Sequence, residues 1–318
     1  MKETLSAVSL SEMRALQLES LDAFGEHCRA NGLRYYIWAG TLLGAMRHGG
    51  YIPWDDDIDV AMPRPDYERL RREFSGSALA ARYGLYHLDT DPTCDLPIAK
   101  LTDPRALVLG DTRAPVGVGI DIFPLDRWPA GRLTSTAALF GQRMFFLGCW
   151  IGFTDSIARP AHWSRAKWMT AVLLLKIFHG RLSPRGARRA LDWFLSTLRG
   201  PCANVGTHWI GPVTKLRWET YGEPTSVTFE NRLLPGPADP IAVLDHLYGN
   251  WREPPPSEAR RGHNRTSVVW SDAHLNAALA RLDARQRMLL ADVESLRAIV
   301  ANADSASDRV SVPEIVRT

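Results

Sequence analysis

Apolar residues recur at helical spacing near the start of the chain, at Leu10, Met13, Leu16, Leu21, Phe24 and Cys28. Ser9-Leu-Ser-Glu12 ahead of them has the form of a capping box, and Gly32 stands where a left-handed cap would close the helix. The pattern therefore predicts a helix of about twenty residues. Tyr35–Ala39 then reads as a buried strand, followed by Gly40-Thr41 and a short helix through Arg47. Pro65-Asp-Tyr-Glu-Arg-Leu opens another helix with proline near its first turn. Short strands are expected over 85–88, 98–101 and 106–109, and a further one over 118–124 with Asp121 among apolar neighbours. From 127 to about 222 the pattern turns mostly helical and interrupts the α/β order. The stretches 229–234 and 251–256 read as irregular structure returning to the core. In the tail, apolar residues stand at 275, 279, 282, 289, 293, 296 and 300, with Gln286 in the remaining slot. This coiled-coil-like stripe would pack on its own domain or on a second copy in a homodimer. Residues 305–318 are expected to be disordered.

Composition sets the broad class. With 318 residues, 45% hydrophobic and 23% charged, the chain is that of a globular protein with room for one large domain or two ordinary ones. Cys28, Cys94, Cys149 and Cys202 are far apart and form no CxxC pair, which points to reduced thiols and a cytoplasmic setting. The opening Met-Lys-Glu-Thr-Leu-Ser has no apolar core of a signal peptide, and no apolar run reaches membrane-spanning length.

Charge is uneven although the net is only +3. Between Arg127 and Leu191 there are eleven Arg/Lys against one acid, Asp155, alongside Trp128, Trp150, Trp163 and Trp168. Solvated helices usually mix both signs. A basic, Trp-rich, apolar segment suits the surface of an anionic membrane, placing the protein at the inner face of the plasma membrane. Nucleic acid is not expected as a partner, because no recognised module accompanies the charge.

The densest chemistry lies at Tyr51-Ile-Pro-Trp-Asp55-Asp56-Asp57-Ile58-Asp59-Val60, with four carboxylates in five positions. Read as a strand, Asp55, Asp57 and Asp59 share one face, with neighbouring carboxylates about 7 Å apart. A divalent cation relieves their repulsion, and an all-oxygen cluster suits Mg²⁺ or Mn²⁺. Gly40-Thr41 at a helix start offers free N–H groups to a phosphate. Asp121 is the candidate third acid, as ligand or proton acceptor. Tyr51, Trp54 and Tyr86 would suit a cage for a quaternary ammonium, though such aromatics more often belong to the core.

Ala39-Gly40-Thr41, a helix, and Asp57-Ile58-Asp59-Val60 together resemble the signature of the polymerase-β-type nucleotidyltransferase superfamily. The longer wording resembles the LicD family: Gly40-Thr-Leu-Leu-Gly-Ala-Met-Arg-His48, then Tyr51 through Arg64 with Asp66-Tyr67. Lys100, Gly119-Ile-Asp-Ile-Phe-Pro-Leu-Asp126 and Leu247-Tyr-Gly-Asn-Trp251 followed by prolines and His263 agree with it. One departure is Asn250, where an acid is expected.

The resemblance implies a nucleotidyltransferase-like α/β (α+β) fold, a mixed sheet flanked by helices, here with a basic helical insertion and a C-terminal helix. Together with the charge and periodicity patterns, it gives an expected division into a catalytic core (1–126), the insertion (127–222), a returning part of the core (223–270) and the tail (271–318). It further implies transfer of a phospho-alcohol, phosphocholine-like, from a CDP-alcohol donor to a cell-surface glycan, teichoic acid or lipopolysaccharide, with release of CMP. Asp57, Asp59 and Asp121 would hold metal, Gly40 and Thr41 would face donor phosphates, and Arg47 and Lys100 would neutralise them. Rival readings are nucleotidyl transfer to a small molecule or RNA with loss of pyrophosphate, a glycosyltransferase, and a non-catalytic binding protein. Neither the alcohol nor the acceptor follows from the residues, nor do roles for His48 and His263.

Overall fold

The computed structural model describes residues 6–94, 98–109, 114–153, 164, 169–170, 184–198, 204–206, 216–260, 267–287, 290, 293 and 295–296. Helix α1 (Leu10–Asn31) starts at the capping box: Ser9 Oγ accepts from Glu12 N–H, and the Glu12 carboxylate accepts from Ser9 N–H at 2.8 Å. It ends at Gly32, whose φ of 61° lies in the left-handed region. Its buried face carries Met13, Leu16, Gln17, Ser20, Leu21, Phe24 and Cys28. Strand β1 (Tyr36–Ile37) runs into α2 (Ala39–His48), then β2 (Asp59–Pro63) and α3 (Arg64–Glu73), which has proline in its first turn.

Next come β3 (Gly84–Tyr86), β4 (Ala99–Leu109) and β5 (Val116–Trp128). The strands expected over 98–101 and 106–109 are one strand with an irregularity between Asp103 and Leu107. Pro104 cannot donate to a ladder, so the pairing shifts around it, while buried Asp103 accepts from the Arg105 N–H at 3.0 Å. Then follow α4 (Arg132–Phe153), α5 (Pro184–Thr197), β6 (Asn204–Gly206), β7 (Leu216–Arg217) and α6 (Trp218–Tyr221).

The stretch expected to be irregular around 229–234 is a hairpin of β8 (Thr225–Phe229) and β9 (Arg232–Gly236). Its two turn residues, Glu230 and Asn231, take φ of 47° and 60°, the positive values a two-residue hairpin turn requires. Helix α7 (Pro240–Tyr248) starts at Asp239, which caps Ala242 N–H, and β10 (Ser267–Trp270) returns to the sheet.

The tail is not one continuous helix. α8 (Ala273–Arg281) stops at extended Leu282, and Asp283 and Gln286 exchange side-chain and backbone hydrogen bonds of 3.0 and 2.8 Å that open α9 (Ala284–Arg287). Gln286 is thus a capping residue rather than a gap in a coiled coil. Of the stripe, Leu275, Leu282 and Leu296 are buried with Leu290 against Leu107, Leu109 and Val269, and Leu279 and Val293 are half-buried on the same cluster. Of the two partners expected for the stripe, its own domain is the one these residues meet. The end of the tail, including 305–318, lies outside the described residues.

The chain divides into two compact units. The first joins Met1–Pro124 to Glu219–Thr318, and the second is Leu125–Trp218. In the first, a mixed sheet with helices runs β1-β2-β5-β4-β10, with β3 also pairing β4. Lys100 pairs with Asp121 across β4 and β5, and Tyr36 with Ala61 across β1 and β2. In the second, the last residues of β5 pair with β6, and α4 and α5 close over Trp128, Ala138, Leu191 and Leu195. Among the described residues, Cys28 and Cys94 are buried free thiols, and no helix is long and apolar enough to cross a membrane.

Candidate active site

The acid run corrects one expectation. β2 begins only at Asp59, and residues 55–58 form a loop into it. The cause lies in α1, about forty residues away in sequence. Arg14 donates to the carbonyls of Ile52, Pro53 and Asp55, and the Gln17 amide donates to Asp56 O at 2.8 Å. Carbonyls engaged by a helix cannot join a sheet ladder. Sheet bonding resumes at Ile58, whose carbonyl accepts from Asp121 N–H at 2.8 Å, and Asp59 O accepts from Trp38 N–H at 3.0 Å.

The β8–β9 turn holds the other end of this loop. Glu230 N–H donates to Gly49 O at 3.0 Å, and the Glu230 carboxylate accepts from Tyr51 N–H at 3.0 Å. Gly50 makes this approach feasible, since a Cβ there would lie 2.2 Å from Glu230 Oε1. Tyr51 then donates its hydroxyl to Gln17 at 3.0 Å and packs on Phe229. The loop is thereby clamped between a helix and a hairpin, and its acids are fixed rather than splayed into solvent.

The carboxylates of Asp55, Asp56 and Asp57 come within 4.8 Å of one another. Asp55 and Asp59 both face the start of α2: a Cβ on Gly40 would lie 2.9 Å from one carboxylate oxygen and 3.8 Å from the other. Gly40 N–H donates to the Asp59 carboxylate, and Thr41 Oγ1 accepts from Asp59 N–H at 2.8 Å. Asp121 joins from β5, where Lys100 of β4 contacts it at 3.0 Å.

Burial, then Asp59, Asp55 and Asp121, push the Asp57 carboxyl up to about 10. Asp59 is raised well above the usual range by burial first, then by Asp121 and Asp55. Acids in this state hold protons that a hard divalent ion would displace. The all-oxygen donor set and the mutual elevation of Asp57 and Asp59 fit such an ion.

Of the residues singled out in the sequence, Asp59 faces Gly40 and Lys100 contacts Asp121, while Asp57 lies with Asp55 and Asp56, and Asp57 and Asp59 each feel the charge of Asp121. Thr41 is only 2% exposed and its hydroxyl is engaged inside the fold, so it presents backbone rather than side chain. Arg47 donates to Trp251 O at 2.8 Å and to His48 Nε2 at 3.0 Å. Burial, then neighbouring Arg260, depress it. Tyr51 and Tyr86 belong to the core, whereas Trp54 lies under the Arg260 guanidinium. His263 lies outside the described residues. Asn250, the departure in Tyr-Gly-Asn-Trp, is exposed, and the block acts through Trp251, whose carbonyl holds Arg47.

Asp55 and Asp56, read in the acid run but given no ligand role, join the acids. Several residues near the site went unread in the sequence: Arg14, Gln17 and Glu230 fix the loop. Tyr248 closes α7 as a partly exposed residue, and its hydroxyl is raised by burial, then by Asp59, Asp55 and Asp57. It lay within the recognised Leu247-Tyr-Gly-Asn-Trp251 wording, but nothing local tied it to the acids.

A mixed sheet whose acid-bearing strand meets the N-terminus of a helix defines a nucleotidyltransferase-like fold. Residues 32–91 match the family described as LicD/FKTN/FKRP, nucleotidyltransferase domain. The segment is similar to lipopolysaccharide cholinephosphotransferase LicD of Haemophilus influenzae, 45% identical over 66 residues, which is 21% of this chain and 25% of that one. It is likewise similar to ribitol 5-phosphate transferase FKRP of Homo sapiens and Mus musculus, 45% identical over 56 residues, 17% of this chain and 11% of theirs. The likeness thus spans a quarter or less of these relatives.

Proposed function

We propose that this protein is a transferase of phospho-alcohol groups. It takes a CDP-alcohol as donor and a glycan hydroxyl as acceptor, works with Mg²⁺ or Mn²⁺, and acts at the cytoplasmic face of a membrane. The observation that carries the reading is the cluster of Asp55, Asp56 and Asp57, with Asp55 and Asp59 against Gly40 at the start of α2 and Lys100 on Asp121. Likeness to two transferases of phospho-alcohols supports the reaction class.

In this reading Asp57, Asp59 and Asp121 hold the ion, with Asp55 and Asp56 beside them. The bound ion supplies charge stabilisation for the transferred phosphoryl and the leaving phosphate. The N–H groups opening α2 bind donor phosphate, and Arg47, held by Trp251 O, meets its charge together with Lys100. Asp121 takes the proton from the acceptor hydroxyl as its oxygen attacks the distal phosphorus. The phosphorus–oxygen bond to CMP breaks in line, and CMP leaves.

Purified protein incubated with Mg²⁺, a panel of CDP-alcohols and a glycan extract should release CMP from one donor and add that alcohol's phosphate to the glycan, read by mass spectrometry. Pyrophosphate from nucleoside triphosphates, without CMP from any CDP-alcohol, would replace this reading by nucleotidyl transfer.

A further inference from the structure

The second unit, Leu125–Trp218, contains fourteen Arg/Lys against three acids, Asp126, Asp155 and Asp192, a surplus of eleven positive charges. Within it, α4 bears only two charged residues, Arg132 and Arg143, in 22 positions. One face of α4 is accounted for. Ser135 accepts from the Trp128 indole at 2.7 Å, Ala138 packs in the small core with Leu191 and Leu195, and Gly141 meets the Phe194 ring. The opposite face is apolar and exposed: Leu133 is 87% and Phe140 68% accessible, and Ala137 between them is also exposed.

An apolar stripe of this kind needs an occupant, and the charge of its unit selects one. A second copy would bring another eleven positive charges against the first and be repelled. An anionic bilayer offers opposite charge for the unit and acyl chains for the stripe. We propose that the outer face of α4 is a membrane-docking surface, with the helix lying in the interface of an anionic bilayer and Leu133 and Phe140 inserted. This rests on the charge and exposure of the second unit and is independent of the phosphotransfer chemistry.

Flotation of the full chain with vesicles tests it. Binding is expected to phosphatidylcholine mixed with phosphatidylglycerol, weak to phosphatidylcholine alone, and reversed by high salt. Leu133→Glu with Phe140→Glu should reduce the bound fraction about tenfold or more at an unchanged melting temperature. Phe140→Ser, a milder change at an exposed position, should reduce it less. Equal binding to both vesicle types, or full binding by folded variants, overturns the proposal. So does a dimer in light scattering that the variants split into monomers, since that would give the stripe to a second copy.

Discussion

Asp59→Asn is expected to lower transfer by about 10²–10³-fold or more and to raise the melting temperature of the metal-free protein. Both effects come from the same crowding of charge. Folding brings Asp59 into a buried site already occupied by Asp55, Asp57 and Asp121, so its carboxyl, like that of Asp57, holds its proton well above the usual range. An acid whose folded value exceeds its unfolded value binds more protons in the native state. Metal-free stability therefore falls as pH rises above the unfolded value of about 4, and the loss continues toward the Asp57 value of about 10. Asparagine at 59 removes one charge and lowers the repulsion on Asp57. Melting with a chelator at pH 4, 6 and 8 should show the variant's advantage growing with pH, reaching several degrees. Saturating Mg²⁺ should erase the advantage, because wild type then gains a partner that the variant holds poorly. A variant less stable than wild type at pH 8 and still active would contradict the assignment.

Gly119→Ala is expected to be the most damaging small substitution near the site. Gly119 lies two residues before Asp121 on β5, where a Cβ would stand 1.7 Å from Leu101 O and 3.0 Å from Thr102 Cα. These are backbone atoms of the neighbouring strand, so no rotamer change relieves the overlap. The two strands must separate or slip, and the pairing of Lys100 with Asp121 depends on their present register. A cost on the order of 3 kcal/mol or more follows. It should appear as a fall of roughly 10 °C in melting temperature. Any protein that still folds should lose transfer with it, and an unchanged melting temperature would show the strand contact to be misread.

Much of the site was legible because its signals are local. Capping at Ser9 and Glu12, glycine at 32, and proline in the first turn of α3 each act within one helical turn. Acids crowded between apolar residues carry their own electrostatic implication. What escaped depends on contacts distant in sequence. Arg14 and Gln17 convert the expected strand over 55–58 into a loop, and no pattern within that loop reveals it. The β8–β9 turn uses Glu230 and Asn231 at positive φ in place of glycine, which hid the hairpin. The strands expected over 98–101 and 106–109 are one, with Pro104 at an irregularity inside it. Two signals were local and still passed over: Asp239-Pro240, a cap followed by a first-turn proline, and Asp283 with Gln286, which interrupts the tail.

The central claim is that Asp57, Asp59 and Asp121 jointly hold a divalent ion. Its most direct test is anomalous diffraction from crystals grown with Mn²⁺. A single strong peak bridging the loop acids and Asp121, beside the first turn of α2, is the predicted result. No peak, or one held by Asp55 and Asp56 out of reach of Asp59 and Asp121, would contradict it.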